Sequence, residues 1–419
     1  MSSPVKTDTE DTVAGPPADG NGSGTSIAGV LMQAMRNNVR QYGMIVALAV
    51  IVVLFQIWTG GTLLKPLNVT NLISQNGYIL ILAIGMMIVI IAGHIDLSVG
   101  SLAAFVGAVA AVLMINHHWP WPLALVVSLI IGAASGAWQG FWIAYIGVPA
   151  FIVTLAGMLV FRGATQILLQ GQSLAPFPDG FTKISSGFLP AVGPNTNYHN
   201  LTLLLGLALI VFILFQEFRN RRQQANYDLD VLPFGLFLVK CAAIVATISV
   251  FTMLLASYQG FPIVLLILAA LLIIFGFVMR NTVIGRHVYA LGGNQAAAKL
   301  SGVKNKRVTF LIFVNMGLLS ALAGLIVAAR LNSGTPSAGI NFELEAISAA
   351  FIGGASASGG VGTVLGTVLG AIIGGLVLGV LNNGMSILGV GSDWQQVIKG
   401  LVLLAAVGFD VYNKRKVGS

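Results

Sequence analysis

Runs of apolar residues, each about as long as a bilayer is thick, alternate with short polar breaks along most of this chain. A helix crossing the hydrocarbon layer needs roughly 20 mainly apolar residues. By that measure the pattern predicts spans at 43–58, 77–93, 97–115, 121–145, 149–169, 201–216, 234–257, 261–279, 309–330, 363–381 and 395–411. A shorter Ala/Gly-rich stretch, 345–358, lies between the ninth and tenth of these and is decided by charge. Loops on the cytoplasmic side collect Lys and Arg during insertion. Arg36 and Arg40 precede the first span, Arg219, Arg221 and Arg222 follow the sixth, and a basic segment from Arg280 to Arg307 follows the eighth. These agree on one side, but eleven crossings would strand Lys414 and Lys416 on the other. Counting 345–358 as a short crossing or a broken helix repairs the parity. The expectation is an all-α polytopic membrane protein of roughly 12 spans, with both termini cytoplasmic and Lys65, Lys183, Arg330 and Lys399 towards the outside.

Composition supports this class. Of 419 residues 56% are hydrophobic and 8% charged, and the mean hydropathy of +0.90 exceeds what a soluble surface tolerates. A net charge of +8 does not call for nucleic acid, because membrane topology accounts for the basic residues and makes lipid the first partner. Cys241 is alone in an apolar run, which excludes a disulfide framework and a cysteine-based metal site. The five histidines, at 94, 117, 118, 199 and 287, are dispersed, so no metal is expected, and no serine elbow or metalloprotease motif suggests an enzyme. The start of the chain is rich in Gly, Pro, Ser and acids. It predicts a disordered cytoplasmic tail over 1–35 ahead of a membrane domain over 36–416.

Two spans carry a small residue at every fourth position: Ser128, Gly132, Gly136 and Gly140 in one, Gly362, Gly366, Gly370 and Gly374 in the other. Such stripes let helix backbones approach closely. They predict either static packing or faces along which helices slide.

One polar segment does not fit the apolar pattern. "GRHVYALGGNQAAAKLSGVKNKRV", Gly285 to Val308, lacks any acid. Asn294 suits an N-cap, "QAAAKLS" is made of helix formers and Gly302 suits the position just past a helix end. A helix of about two turns is predicted. A loop touching anionic headgroups, worth about 1 kcal/mol per basic residue, would explain the charges but not the caps.

That segment, with "IAGHIDLSVGS", "VPAFIVTLAGMLVFRG", "FELEAISAAFIGGASASGGVGTVLG", "LNNGMSILGVGSDWQQVIKG" and "AVGFDVYNKRK", resembles the permease of bacterial monosaccharide ABC importers, the ribose and xylose type, most nearly its multiple-monosaccharide branch. The resemblance runs from about Arg36 to Lys416. It implies a ten-span permease core with a two-span insertion around 201–216 and 234–257, residing in the bacterial inner membrane. It also implies two permease copies, two ABC ATPase subunits, a periplasmic sugar-binding protein and no cofactor. The polar segment, 280–308, would be the coupling loop, with Ala296, Ala297, Leu300 and Ser301 facing the ATPase, Lys299 and Lys304 at the rim, and Asn294 and Gly302 setting the ends. The chain contains no G-x-x-x-x-G-K-[ST] phosphate loop, so ATP would be hydrolysed by another chain. An ion-coupled secondary carrier and an ABC permease for branched-chain amino acids are the alternatives.

The polar residues near the membrane are the candidate pathway. His94 and Asp96 lie between two spans, where Asp96 either caps a helix starting at Leu97 or helps a turn dip into the membrane as a gate. Arg162 either snorkels to headgroups or pins a broken helix. Asn76, expected to open the second span, and Asn315 either face the pathway or bond a neighbouring helix. Arg330, Glu343 and Glu345 are candidates for docking the binding protein, by the resemblance, or for capping helices. Trp119, Trp121 and Trp394 read as interfacial anchors.

Overall fold

The computed structural model describes residues 39–194, 197–227, 231, 233–355, 360 and 364–417. The expected tail, 1–35, lies outside them, as do Gly362 and the segment 356–359. Every expected span is a helix. In chain order they are α1 (Val39–Trp58), α2 (Pro66–Ile91), α3 (Val99–Ala111), α4 (Trp121–Phe141) and α5 (Ala150–Leu169). A short α6 (Asp179–Ser186) precedes α7 (Asn200–Asn226), α8 (Phe234–Ala256) and α9 (Ile263–Asn281). Then follow α10 (Val283–Gly293), α11 (Gln295–Leu300), α12 (Asn305–Leu331), α13 (Phe342–Ile352), α14 (Val364–Ile387) and α15 (Ser392–Val417). α3 and α4 each end in a π-helical turn, reaching Asn116 and Ile146. Among the described residues nine helices are long and apolar enough to cross a membrane.

Three of the boundaries that differ from expectation are instructive. α2 starts at Pro66, not near 77, because Pro suits a first helical turn and the polar residues that follow are paired inside the protein. Asn68 and Asn383 exchange side-chain hydrogen bonds of 2.8 and 3.1 Å between α2 and α14. α7 continues ten residues beyond 216 and carries its arginines on a helical extension. In place of a crossing over 345–358 the described residues hold a half-length helix: the 11 residues of α13 rise only about 16 Å at ~1.5 Å each, half of a ~30 Å core.

The helix ends sort onto two faces. The chain ahead of α7 meets the α8–α9 turn at two points, with Leu189 N–H on the Phe261 carbonyl at 3.0 Å and His199 N–H on that of Ala256 at 2.9 Å. The arginine-bearing end of α7 and the α9 end that feeds α10 therefore lie on the opposite, basic face. α12 runs from that face to the loop face, where Asn332 accepts from Phe177 N–H at 2.8 Å.

α2 is the hub, packed on α12, α13 and α14 in one buried cluster. A second cluster joins α3, α4 and α12. Small residues set both contacts. Gly132 and Gly136 of α4 lie on Ala321, Gly317 and Phe313 of α12, so close that a Cβ at Gly136 would overlap the Phe313 carbonyl. Gly370 and Gly374 of α14 likewise meet the Gly353 and Ala349 carbonyls of α13 and its C-cap. These are the close backbone contacts the stripes predict.

Candidate coupling and gating site

The polar segment forms two short capped helices rather than one. Thr282 caps α10, its hydroxyl accepting from Gly285 N–H at 3.3 Å, and Asn294 caps α11, its Oδ1 accepting from Ala297 N–H at 2.9 Å. Gly302 follows the helix end at φ +85°, a left-handed conformation that favours glycine, and Val303 N–H closes back on the Ala298 carbonyl at 3.0 Å. Ala298, Val303, Val288 and Leu291 bury the inner side. Asn294, Ala296, Ala297, Lys299, Leu300, Ser301, Gly302 and Lys304 are all exposed. Leu300 is 90% exposed, an apolar knob on a polar face. Asn305, which the sequence did not single out, ties the start of α12 to α11 by donating to the Gln295 carbonyl at 2.7 Å.

The base of this pair is seated on bare backbone. A Cβ at Gly292 would overlap the Ile91 carbonyl at the end of α2 and crowd the amide of Gly360. Gly360 N–H donates to that same Ile91 carbonyl at 2.9 Å. α10, the α2 terminus and Gly360 thus share one junction.

Past Ile91 the chain leaves Gly93 and Ile95 exposed and then turns inward. Asp96 is 2% exposed and its Oδ1 accepts from both the backbone N–H and the hydroxyl of Ser98, at 2.8 and 2.7 Å. Gln139 of α4, itself buried, donates to the Ser98 hydroxyl at 2.7 Å. The helix starts at Val99, two residues later than expected, so Asp96 shapes the turn ahead of the cap instead of capping a helix at Leu97. His94 is half-buried with its ring 5.9 Å from that of Phe313. The turn is therefore packed between α4 and α12.

A second irregular segment, 332–341, mirrors the first from the loop face. Gly339, at φ +68°, touches the backbone of Gly100 near the start of α3. Arg162 of α5 holds it there. Its guanidinium donates to the carbonyls of Ala338 at 2.7 Å, Pro336 at 3.3 Å and Gly339 at 3.3 Å. The carbonyls belong to the segment leading into the half-helix, and the side chain points to them and not to headgroups.

Glu345 lies at the other side of α13, 9% exposed. Its carboxylate accepts from Tyr78 OH at 2.5 Å, Lys399 Nζ at 2.7 Å and Asn382 Nδ2 at 3.4 Å, joining α2, α14 and α15 to the half-helix. Glu343 packs its carboxylate against Gly100. Both acids, candidates for docking or for capping a helix, lie in the first turn of α13 and face the bundle interior, where Lys399 pairs with Glu345. Arg330 is exposed at the end of α12, donating to the Gln75 carbonyl at 3.4 Å. Asn76 is buried midway along α2, its amide donating to the Leu72 carbonyl at 2.9 Å. Asn315 is half-buried in α12 beside Met316, which packs on Gly85 of α2. Tyr78, Asn382 and Gln139 had no signal in the sequence beyond being polar inside apolar runs.

The family described as branched-chain amino acid transport system / permease component matches residues 68–407. The xylose transport system permease protein XylH of Haemophilus influenzae is 42% identical over 381 residues, 91% of this chain and 98% of that one. Its namesake from Escherichia coli K12 is 41% identical over 380 residues, 90% and 93% of the two chains. The ribose import permease protein RbsC of Escherichia coli K12 is 34% identical over 349 residues, 83% of this chain and 86% of its own. No solved structure matches the chain.

Proposed function

Because the chain belongs to the branched-chain amino acid transport system / permease component family, we propose that it is the membrane permease of an ATP-binding-cassette importer for monosaccharides. It works with two ATPase subunits, a periplasmic sugar-binding protein and a second copy of itself, with the basic face and both termini in the cytoplasm of a bacterium. Sugar is favoured over amino acid by near end-to-end similarity to xylose permeases. The ribose/xylose type as a whole is supported; the multiple-monosaccharide branch stays an expectation.

The observation that carries the coupling role is the exposed, capped α11 with Leu300 at its tip, on a base wedged against the Ile91–Gly360 junction. A groove on the ATPase that covers Leu300 removes apolar surface from water. Movement of that groove then acts through rigid backbone contacts on the end of α2 and on Gly360. Because packed elements switch between discrete arrangements, the half-helix and the Gly100–Gly339 contact are where the barrier opens and closes. Arg162 and the Asp96–Ser98–Gln139 set hold the two irregular segments in register. ATP is hydrolysed by the partner subunits, and this chain supplies the path and the lever.

Leu300→Asp should reduce sugar-stimulated ATP hydrolysis by the reconstituted complex at least tenfold while leaving the permease folded. Unchanged hydrolysis and assembly would remove α11 from the coupling role. Uphill D-xylose uptake by the isolated chain on an ion gradient, without nucleotide, would replace the importer by a secondary carrier.

A further inference from the structure

The loop face holds a hollow that none of the roles above uses. It has a volume of about 330 Å³, between the loop-face half of α2, the end of α12 and the dipping segment 335–342. Resting on the sugar-importer reading, we propose that this hollow is a monosaccharide station within the permease itself, occupied by sugar between its release outside and its passage past α13.

Size is the first argument. The hollow matches the lower end of small-molecule pockets, ~300–1,000 Å³, the range in which a single pentose or hexose is held.

Chemistry is the second. The polar lining comprises the Gln75 and Asn76 amides, the Thr335 and Ser337 hydroxyls and the Arg330 guanidinium. Amides and hydroxyls both donate and accept, which is what sugar hydroxyls require. Thr335 and Ser337 are 3.2 Å apart, so a sugar hydroxyl can replace one hydrogen bond with another. The Asn76 amide N–H already serves the Leu72 carbonyl at 2.9 Å, and its carbonyl oxygen is an acceptor. Tyr78 and Phe342 supply the apolar part, stacked with centroids 4.0 Å apart at 24°. Aromatic rings of this kind suit the C–H face of a pyranose.

The third argument is which charges line the hollow. No lining residue is acidic. The nearby carboxylate of Glu345 is engaged by Tyr78 OH, Lys399 and Asn382. An amino acid brings an ammonium group that needs an anion when taken out of water, and this lining offers only a guanidinium. The hollow therefore selects a neutral polyol against a zwitterion. Its floor is formed in part by Gly339 and Phe342, at the joint between the pinned segment and the half-helix. Sugar in the hollow touches the element that coupling moves.

The test uses the full chain in nanodiscs, with ligand-observed saturation-transfer NMR and D-xylose as the probe, beside import by the complete complex in proteoliposomes. D-xylose should give a saturation signal with the permease alone, half-maximal in the millimolar range, and L-leucine none. The near-isosteric pair Thr335→Val with Ser337→Ala should cut both that signal and import at least fivefold. Ser337→Trp, which fills the hollow, should abolish both, and Val250→Ala on exposed α8 should change neither. If the wild-type complex imports D-xylose but the isolated permease gives no signal, or if the hydroxyl-free pair imports normally, the station does not exist and the importer reading stands. A wild-type complex that imports no sugar overturns the importer reading and the station with it. Should Ser337→Trp fail to assemble, the hydroxyl-free pair alone decides.

Discussion

α2 and the α7–α8 hairpin are both long apolar helical elements, and the hairpin helices are the more apolar. Yet in their most apolar windows 83% of the α2 residues are buried and only 11% in each of α7 and α8. In lipid the hydrophobic effect does not choose between a neighbouring helix and an acyl chain; close backbone approach and polar pairing do. α2 has both, in Gly77 and Gly85, which lie directly against Val264 and Met316 side chains, and in Asn68 and Tyr78. The hairpin holds mainly to itself. Gly206 lies on Thr252, Lys240 pairs with Glu217 at 2.7 Å, and Arg221 sits 4.8 Å from the Phe237 ring centre. It is an attachment to the bundle, joined through Leu255, Val69 and Ile73.

The largest expected effect tests whether polar pairing holds the core. Lys399→Met leaves the buried Glu345 carboxylate without its cation, and losing one partner of a buried pair costs roughly 3–5 kcal/mol. Thermal unfolding of the detergent-solubilised protein should show it, and Glu345→Gln in the same chain should restore most of the loss. A single variant as stable as the parent would mean that the polar network does not separate core from hairpin. Gly136→Leu comes next, because its side chain must displace backbone of α12. Overpacking costs about 1–3 kcal/mol, sometimes more, and here the obstacle cannot change rotamer. A drop in the yield of folded protein is the expected reading, whereas a fully stable, non-transporting variant would make the stripe a sliding face. The smallest effect belongs to Leu207→Ala on α7. Leu207 is 63% exposed, and a change there should stay within about 0.5 kcal/mol. A loss as large as that of Gly136→Leu would show that the complete complex packs a partner on the hairpin.

Spans were legible because a bilayer imposes length and apolarity together, and no predicted crossing lacks a helix. Polar residues inside those runs were misplaced for the same reason. Gln75 and Asn76 pushed the expected start of α2 towards 77, since hydropathy cannot see that Asn68 finds Asn383 across 315 positions. α10 has little helix signal because "GRHVYALGG" starts and ends in glycine, which weakens a helix, and its cap, Thr282, is polar loop material by sequence alone. The broken crossing was half legible. Parity demanded something at 345–358, but only the fold reveals that an irregular limb, 332–341, runs in from the loop face to meet α13. By sequence Asp96 suits a cap at Leu97 or a gate, and in the fold it bonds Ser98 and the helix starts at Val99. For Glu343 and Glu345 the sequence leaves docking and capping both open, because their partners, Gly100, Tyr78 and Lys399, are distant in the chain.

Arg162 grips its segment through main-chain oxygens, at Pro336, Ala338 and Gly339. Carbonyl groups are common to all residue types, so the identities at 335, 337 and 340 are free to change while the grip persists. Mutation can thus re-line the mouth of the protein one residue at a time without first rebuilding its frame, and selectivity and architecture can evolve on separate schedules.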